Sequence, residues 1–171
     1  MDRYKSTPDD DRIVQDEAAK PLDRVSAMAR LAFDQFHEFE PVFAELLRHP
    51  SEHLREQAVI SLVGTWRLPQ YLDTAIQMLH TDPIWYVRTS AALALRTYVQ
   101  RTGQQRERIC LELTRCVLHD PDTSVQKLCY AELLQLLAPE RDWSELPDDF
   151  ERERDVDWPL LQPYLDQLQP K

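Results

Sequence analysis

The sequence predicts an all-α fold: a short right-handed α-solenoid of about four helical hairpins, followed by an acidic C-terminal extension. Two observations carry this. Three segments superimpose, His49-Pro50 through Leu54-Arg55 to Ala58, Asp82-Pro83 through Val87-Arg88 to Ala91, and Asp120-Pro121 through Val125-Gln126 to Cys129. Each opens on a cap-like residue and a proline, then sets an aliphatic residue, a long polar one and, three positions on, a small one. Leu62, Leu95 and Leu133 form a further matching column. The copies start 33 residues (49 to 82) and 38 residues (82 to 120) apart, a period that marks stacked supersecondary units. The second observation is 2 glycines against 12 prolines, too few glycines for a β fold built on tight turns. Gly64 and Gly103 alone also write no phosphate-cradling loop.

Taken in order, residues 1–20 are polar, with Pro8 and Asp9-Asp10-Asp11, and read as a flexible arm with a short helical turn near Ile13-Val14. Residues 21–138 form the repeat domain. Its divergent first hairpin places Val25, Met28, Ala29, Ala32 and Phe33 on one face, breaks near His37-Glu38, and continues with Phe39, Val42, Phe43, Leu46 and Leu47. In the second hairpin Leu54, Ala58, Val59 and Leu62 face inward, and Gly64 is expected to take positive φ after the helix end. Pro69 opens the return helix, whose inner face is Leu72, Ala75, Ile76 and Leu79. The third buries Val87, Ala91, Leu95 and Val99, turns at Gly103, and returns through Ile109, Leu113, Cys116 and Val117. In the fourth, Val125, Cys129, Leu133 and Leu136 face in and Pro139 stops the helix. Residues 139–171 are the acidic extension, a long connector and then a closing helix carrying Trp158, Leu160, Leu161, Tyr164, Leu165 and Leu168. Such a helix caps an otherwise sticky end face.

The repeated segments resemble HEAT-type helical repeats, including those of armadillo-like and phycobilin-lyase-like proteins. The matching residues are Asp82-Pro83, Asp120-Pro121, Val87-Arg88, Ala91 and Leu95. The resemblance implies a ladder of aspartates and arginines from neighbouring repeats. Asp82 and Arg88 carry it, His49/Arg55 keeps the basic half and Asp120/Gln126 the acidic half, so the ladder is expected to stop short of the full length. It covers residues 21–138 and speaks to fold, since the motif is structural.

The net charge of −10 is uneven: −2 over residues 1–20, −2 over 21–138 and −6 over 139–171. With no basic stripe, nucleic-acid binding is disfavoured, and a basic protein partner fits better. Cys110, Cys116 and Cys129, an odd count without C-x-x-C spacing, read as reduced thiols of a cytoplasmic protein. The start Met1-Asp2-Arg3-Tyr4-Lys5 opens no apolar leader, and no apolar run approaches the ~20 residues that span a bilayer. No membrane contact, cofactor, metal or catalytic set is expected, and the chain reads as a monomer or transient oligomer.

His49-Pro50-Ser51-Glu52-His53 spells H-x-x-E-H, a zinc-protease pattern. Pro50 begins a helix, however, and leaves His49 outside it, so the two histidines do not share a face. His49, His80 and His119 each fall where a second helix ends, a place to bond its last carbonyls. Pairing Cys110 or Cys116 with His119 gives no nucleophile set, because Cys116 points inward and no orienting third group is evident.

Candidate partner-binding residues form three groups. Second helices of such stacks line the usual docking curve, and there Gln70, Asp73 and Gln77 neighbour Glu107, Arg108, Glu112 and Arg115. The bland alternative is a solvated, self-paired face. Trp85 and Tyr86 lie where the repeat is usually polar and Trp66 lies in the turn after Gly64, as inter-repeat packing or as hot spots. Asp148, Asp149, Phe150 and Glu151, with Trp158, make an acidic segment with aromatic anchors, either a linker or a dock for a basic partner. The expected function is therefore a non-enzymatic protein-interaction module, an adaptor or immunity/antitoxin-like inhibitor gripping a partner on its concave face. The alternative is a phycobilin-lyase-like or chaperone-like subunit acting on a chromophore protein.

Overall fold

A helix with one apolar stripe must bury it, and a run of such helices satisfies every stripe by stacking in layers. The computed structural model describes residues 6–169, so 1–5 of the expected arm and 170–171 lie outside the described residues. Ten helices follow in order: α1 (Asp10–Gln15), α2 (Pro21–Phe33), α3 (Glu40–Leu46), α4 (Glu52–Val59), α5 (Leu72–Thr81), α6 (Trp85–Thr102), α7 (Arg106–His119), α8 (Thr123–Leu137), α9 (Arg152–Asp155) and α10 (Trp158–Leu168). The described residues contain no strand. The first helices α2, α4, α6 and α8 stack consecutively, and the second helices α5, α7 and α10 form the other layer. The fold is thus an all-α solenoid.

The predicted apolar columns meet in one core. Leu54, Leu62, Val87, Ala91, Leu95, Val125, Cys129 and Leu133 are all fully buried, because the repeat register puts each on the stripe facing its neighbours. Phe33 is the exception, at 64% exposed. It follows Ala32 by one residue, about 100° round the helix and off the stripe.

Two glycine positions differ in kind. Gly103 ends α6 at φ 70°, donating its N–H to the Val99 carbonyl at 2.8 Å, a left-handed cap that a side chain strains. Gly64, expected at positive φ, is not there: α4 runs on as a wide π-turn over Ile60–Thr65, and Gly64 lies inside it against Ala94 of α6. The left-handed residue of this connection is Arg67, at φ 59°.

The ladder runs diagonally between repeats. Arg55 grips the Asp82 carboxylate with two bonds, 2.8 and 2.9 Å. Arg88 grips Asp120 in the same way at 2.9 and 3.0 Å. The apparent half-pairs therefore complete one another, and only the outer ends lack partners within the ladder. There, substitutes keep the local bonds. His49 Nδ1 accepts the Ser51 backbone N–H, as Asp82 and Asp120 accept those of Ile84 and Asp122. Gln126 donates to the Asp120 carbonyl, as Arg88 does to that of Asp82. The H-x-x-E-H match is thus a repeat start, with His49 outside α4.

Residues 1–20 were expected as a loose arm, yet α1 packs on α2 with Val14 fully buried. Asp10, also fully buried, accepts from the Thr7 N–H at 2.7 Å and from Arg30 Nε at 2.9 Å. The Arg30 bond holds the Asp10 carboxyl below its ordinary value despite burial. A lowered folded-state value gives stability that is fully present above the ordinary carboxylate value and is lost as pH falls from there through the lowered folded value. Asp10→Asn is expected to remove about 2 kcal/mol at pH 7 and much less below about pH 3. Urea unfolding of both proteins at the two pH values checks this, and an equal difference at both contradicts it.

The closing segment is held to the stack. Phe150 and Val156 are buried, Arg141 pairs with Asp157 at 2.7 Å, and Arg152 donates to the Leu118 carbonyl. α10 lies against α7 with Leu161 fully buried. It occupies the place of a fourth second helix, reached by a long connector.

Candidate functional site

A groove lies where α6 and α8 begin side by side. Trp85 is the first residue of α6 and Thr89 stands one turn on, while Thr123, Ser124, Lys127, Leu128 and Ala131 line the facing side of α8. The connector after α8 supplies the third wall through Ser144, Leu146, Asp148 and Phe150, enclosing about 580 Å³. Each wall has a local cause. Asp122 caps α8 by accepting the Ser124 N–H at 2.8 Å, a short polar side chain satisfying an orphan donor. Phe150 is buried against Tyr130, with ring centroids 6.3 Å apart, and pins the connector to α8.

Trp85 is 49% exposed. Tyr86 meets it edge-on at 5.8 Å and itself stacks with His53 at 6.0 Å. The indole is thus steadied on one side and stays half-exposed at the groove. Lys127 reaches Asp148 at 3.8 Å, and Glu145, Asp148 and Asp149 are exposed nearby. An exposed pair of this kind contributes little to stability and is readily exchanged for an outside cation.

The groove thus joins Trp85, Asp148 and Phe150 from the predicted set, with Tyr86 supporting. Asp149 and Glu151 lie on its far side, pairing with Arg154. Trp158 opens α10 and packs on the core. Trp66 requires correction as a contact residue: it is 4% exposed, stacks on Phe43 at 4.8 Å and donates its indole N–H to the Ala32 carbonyl at 3.0 Å. Phe150 likewise anchors its own chain. Lys127, Leu128 and Leu146 were not foreseen. Their available signal was apolar residues off the buried stripe beside a lone lysine.

The second helices carry a different surface. Gln70 and Tyr71 donate to Glu40 at 2.9 Å, Arg108 pairs with Asp73, and Gln167 of α10 bonds Glu107. His80 Nε2 meets Glu112 at 2.8 Å, and Arg115 meets the same carboxylate at 2.6 Å. These side chains pair with one another from helix to helix, and Gln77 stands exposed on α5. His80 was expected on the last carbonyls of its helix. Its ring instead lies between Glu112 and Cys116.

Among the described residues no cluster of His, Cys, Asp and Glu is arranged to hold a metal ion, and no helix is long and apolar enough to cross a membrane. Two stacked layers, register-matched hairpins and a diagonal Arg–Asp ladder define a helical-repeat scaffold. The family described as HEAT repeats matches over residues 5–96 and 39–135, and the chain belongs to that family. Comparison with curated proteins and with solved structures returns no match. HEAT repeats generally mediate protein–protein interaction on a scaffold that is typically non-catalytic.

Proposed function

We propose that this chain is a non-enzymatic protein-interaction module, an adaptor or immunity-type inhibitor, that receives a basic segment of a partner protein in the α6–α8 groove. The observation that carries the reading is Trp85, half-exposed and braced over a groove with acidic groups at its rim. Trp buried on binding is the commonest kind of hot spot, and Leu128, Ala131 and Leu146 offer apolar area beside it. Asp148 at the groove suits a partner's Lys or Arg, in keeping with the net charge of −10. The second-helix row is less suited, since a partner there must displace the Glu40, Asp73, Glu107 and Glu112 pairs already made.

A displayed library of random peptides, selected on the full-length protein at low salt, tests the reading. The expected winners combine Lys or Arg with a large apolar residue, and Trp85→Ala weakens them about 30-fold, the scale of a 2 kcal/mol hot spot. Acidic winners, or winners indifferent to Trp85→Ala, overturn it.

A further inference from the structure

Cys116 sits on the inward side of α7, but its surroundings are not inert. His80 of α5 places Nδ1 3.3 Å from the sulfur, and the other ring nitrogen lies 2.8 Å from Glu112 Oε2. The Arg115 bond at 2.6 Å keeps that carboxylate turned toward the ring. A carboxylate at Nε2 fixes a proton there, so Nδ1 faces the thiol as its acceptor. Nucleophile, base and orienting acid thus stand in sequence. From α8, the fully buried Cys129 thiol lies beside the same sulfur.

The remaining charges facing the pair are Asp120, near both sulfurs, and Glu132, near Cys129, and each opposes a thiolate. The neighbouring Cys129 thiol, with His80, nevertheless brings the Cys116 thiol below its ordinary value. The same neighbour, together with full burial, drives Cys129 well up. Cys116 is thus the member of the pair biased toward the thiolate, and Cys129 the member held as a thiol. Cys110 is an internal control: it is also fully buried, and burial pushes its thiol up. Cys116 is 2% exposed, whereas the His80 side chain is 25% exposed. The imidazole is thus the part of the cluster that reaches solvent, and Cys116 lies behind it.

We propose that Cys116 and Cys129 form a reversible thiol redox pair oxidised by hydrogen peroxide, with Cys116 attacking, Cys129 resolving and His80 carrying the proton. In the first step the Cys116 thiolate attacks one peroxide oxygen and the O–O bond breaks. The departing hydroxide takes the proton from imidazolium Nδ1 and leaves as water, giving a sulfenic acid and neutral His80. In the second step His80 takes the Cys129 proton and that sulfur attacks the sulfenic sulfur. The S–O bond breaks, and hydroxide recovers the proton as a second water. One peroxide is reduced and two thiols become one disulfide joining α7 to α8, which a dithiol reductant reverses. This inference stands apart from the groove, although α8 is also a groove wall.

The test treats reduced full-length protein with hydrogen peroxide at pH 7, blocks free thiols with N-ethylmaleimide, and maps linked peptides by mass spectrometry. The expected product is a Cys116–Cys129 crosslink with Cys110 still alkylated. In Cys129→Ser, dimedone should trap the sulfenic acid at Cys116. His80→Gln should slow Cys116 oxidation about tenfold or more by lowering its thiolate fraction. Glu112→Gln, at a partly exposed position, should slow it in the same direction and serves as the reading if His80→Gln melts. The proposal is overturned if Cys110 reacts as fast as Cys116, if Cys116 overoxidises without linking to Cys129, or if the folded variants leave the rate unchanged.

Discussion

Replacing Arg88 by alanine is expected to lower the unfolding free energy by about 3–5 kcal/mol, the range for breaking a buried ion pair. The reason is what remains behind. Asp120 has a side chain 3% exposed and receives both of its charged bonds from Arg88. The same guanidinium satisfies the Asp82 carbonyl at 2.9 Å. Truncation leaves a buried carboxylate with only the Asp122 backbone N–H, an uncompensated charge at the junction of the third and fourth hairpins. The pair itself need not be strongly stabilising, because desolvating two ions offsets much of their attraction. Arg88→Met with Asp120→Leu should therefore recover most of the loss, short of the bond Asp120 makes to Asp122. Urea unfolding of wild type, single and double variants measures both. A single variant that loses under 1 kcal/mol, or a double variant no better than the single, contradicts this account.

Trp66→Ala is expected to cost about 3–5 kcal/mol, the usual range for emptying a buried aromatic site. The indole joins the first two hairpins: it stacks on Phe43 of α3, lies 4.9 Å from the His37 ring and bonds the end of α2 at Ala32. Trp66→Phe separates the contributions. It keeps most of the packing and loses a hydrogen bond worth about 1 kcal/mol, at a carbonyl that Gln35 also serves. Thermal or urea unfolding should order the proteins wild type, Phe, Ala. Equal losses for Phe and Ala would mean that packing on Phe43 contributes nothing.

The repeat columns were legible because each hairpin repeats one physical requirement, an apolar stripe with a small residue where helices approach. The ladder residues were legible too, but not their diagonal pairing, which depends on how neighbouring hairpins are offset in space. Trp66 shows the limit for aromatics: an indole in a turn reads alike whether it faces water or Phe43, and the π-turn before it has no sequence signature. The groove escaped for a related reason. It is made by a connector returning over α8, so Lys127 and Leu146 become neighbours only through the seating of Phe150 on Tyr130. His80, Glu112, Cys116 and Cys129 come from three helices, and no spacing rule brings them together.

The central claim is that Trp85 and the acidic rim form one binding surface. Its most direct measurement is the affinity of a library-selected peptide for wild type and for Trp85→Ala at low and high salt. Exposed charge pairs are screened beyond about 10 Å at 0.1 M salt, whereas indole burial is not. The account predicts that salt weakens binding to both proteins, and that Trp85→Ala lowers affinity about 30-fold at either salt. Binding that ignores both salt and the loss of the indole would contradict it.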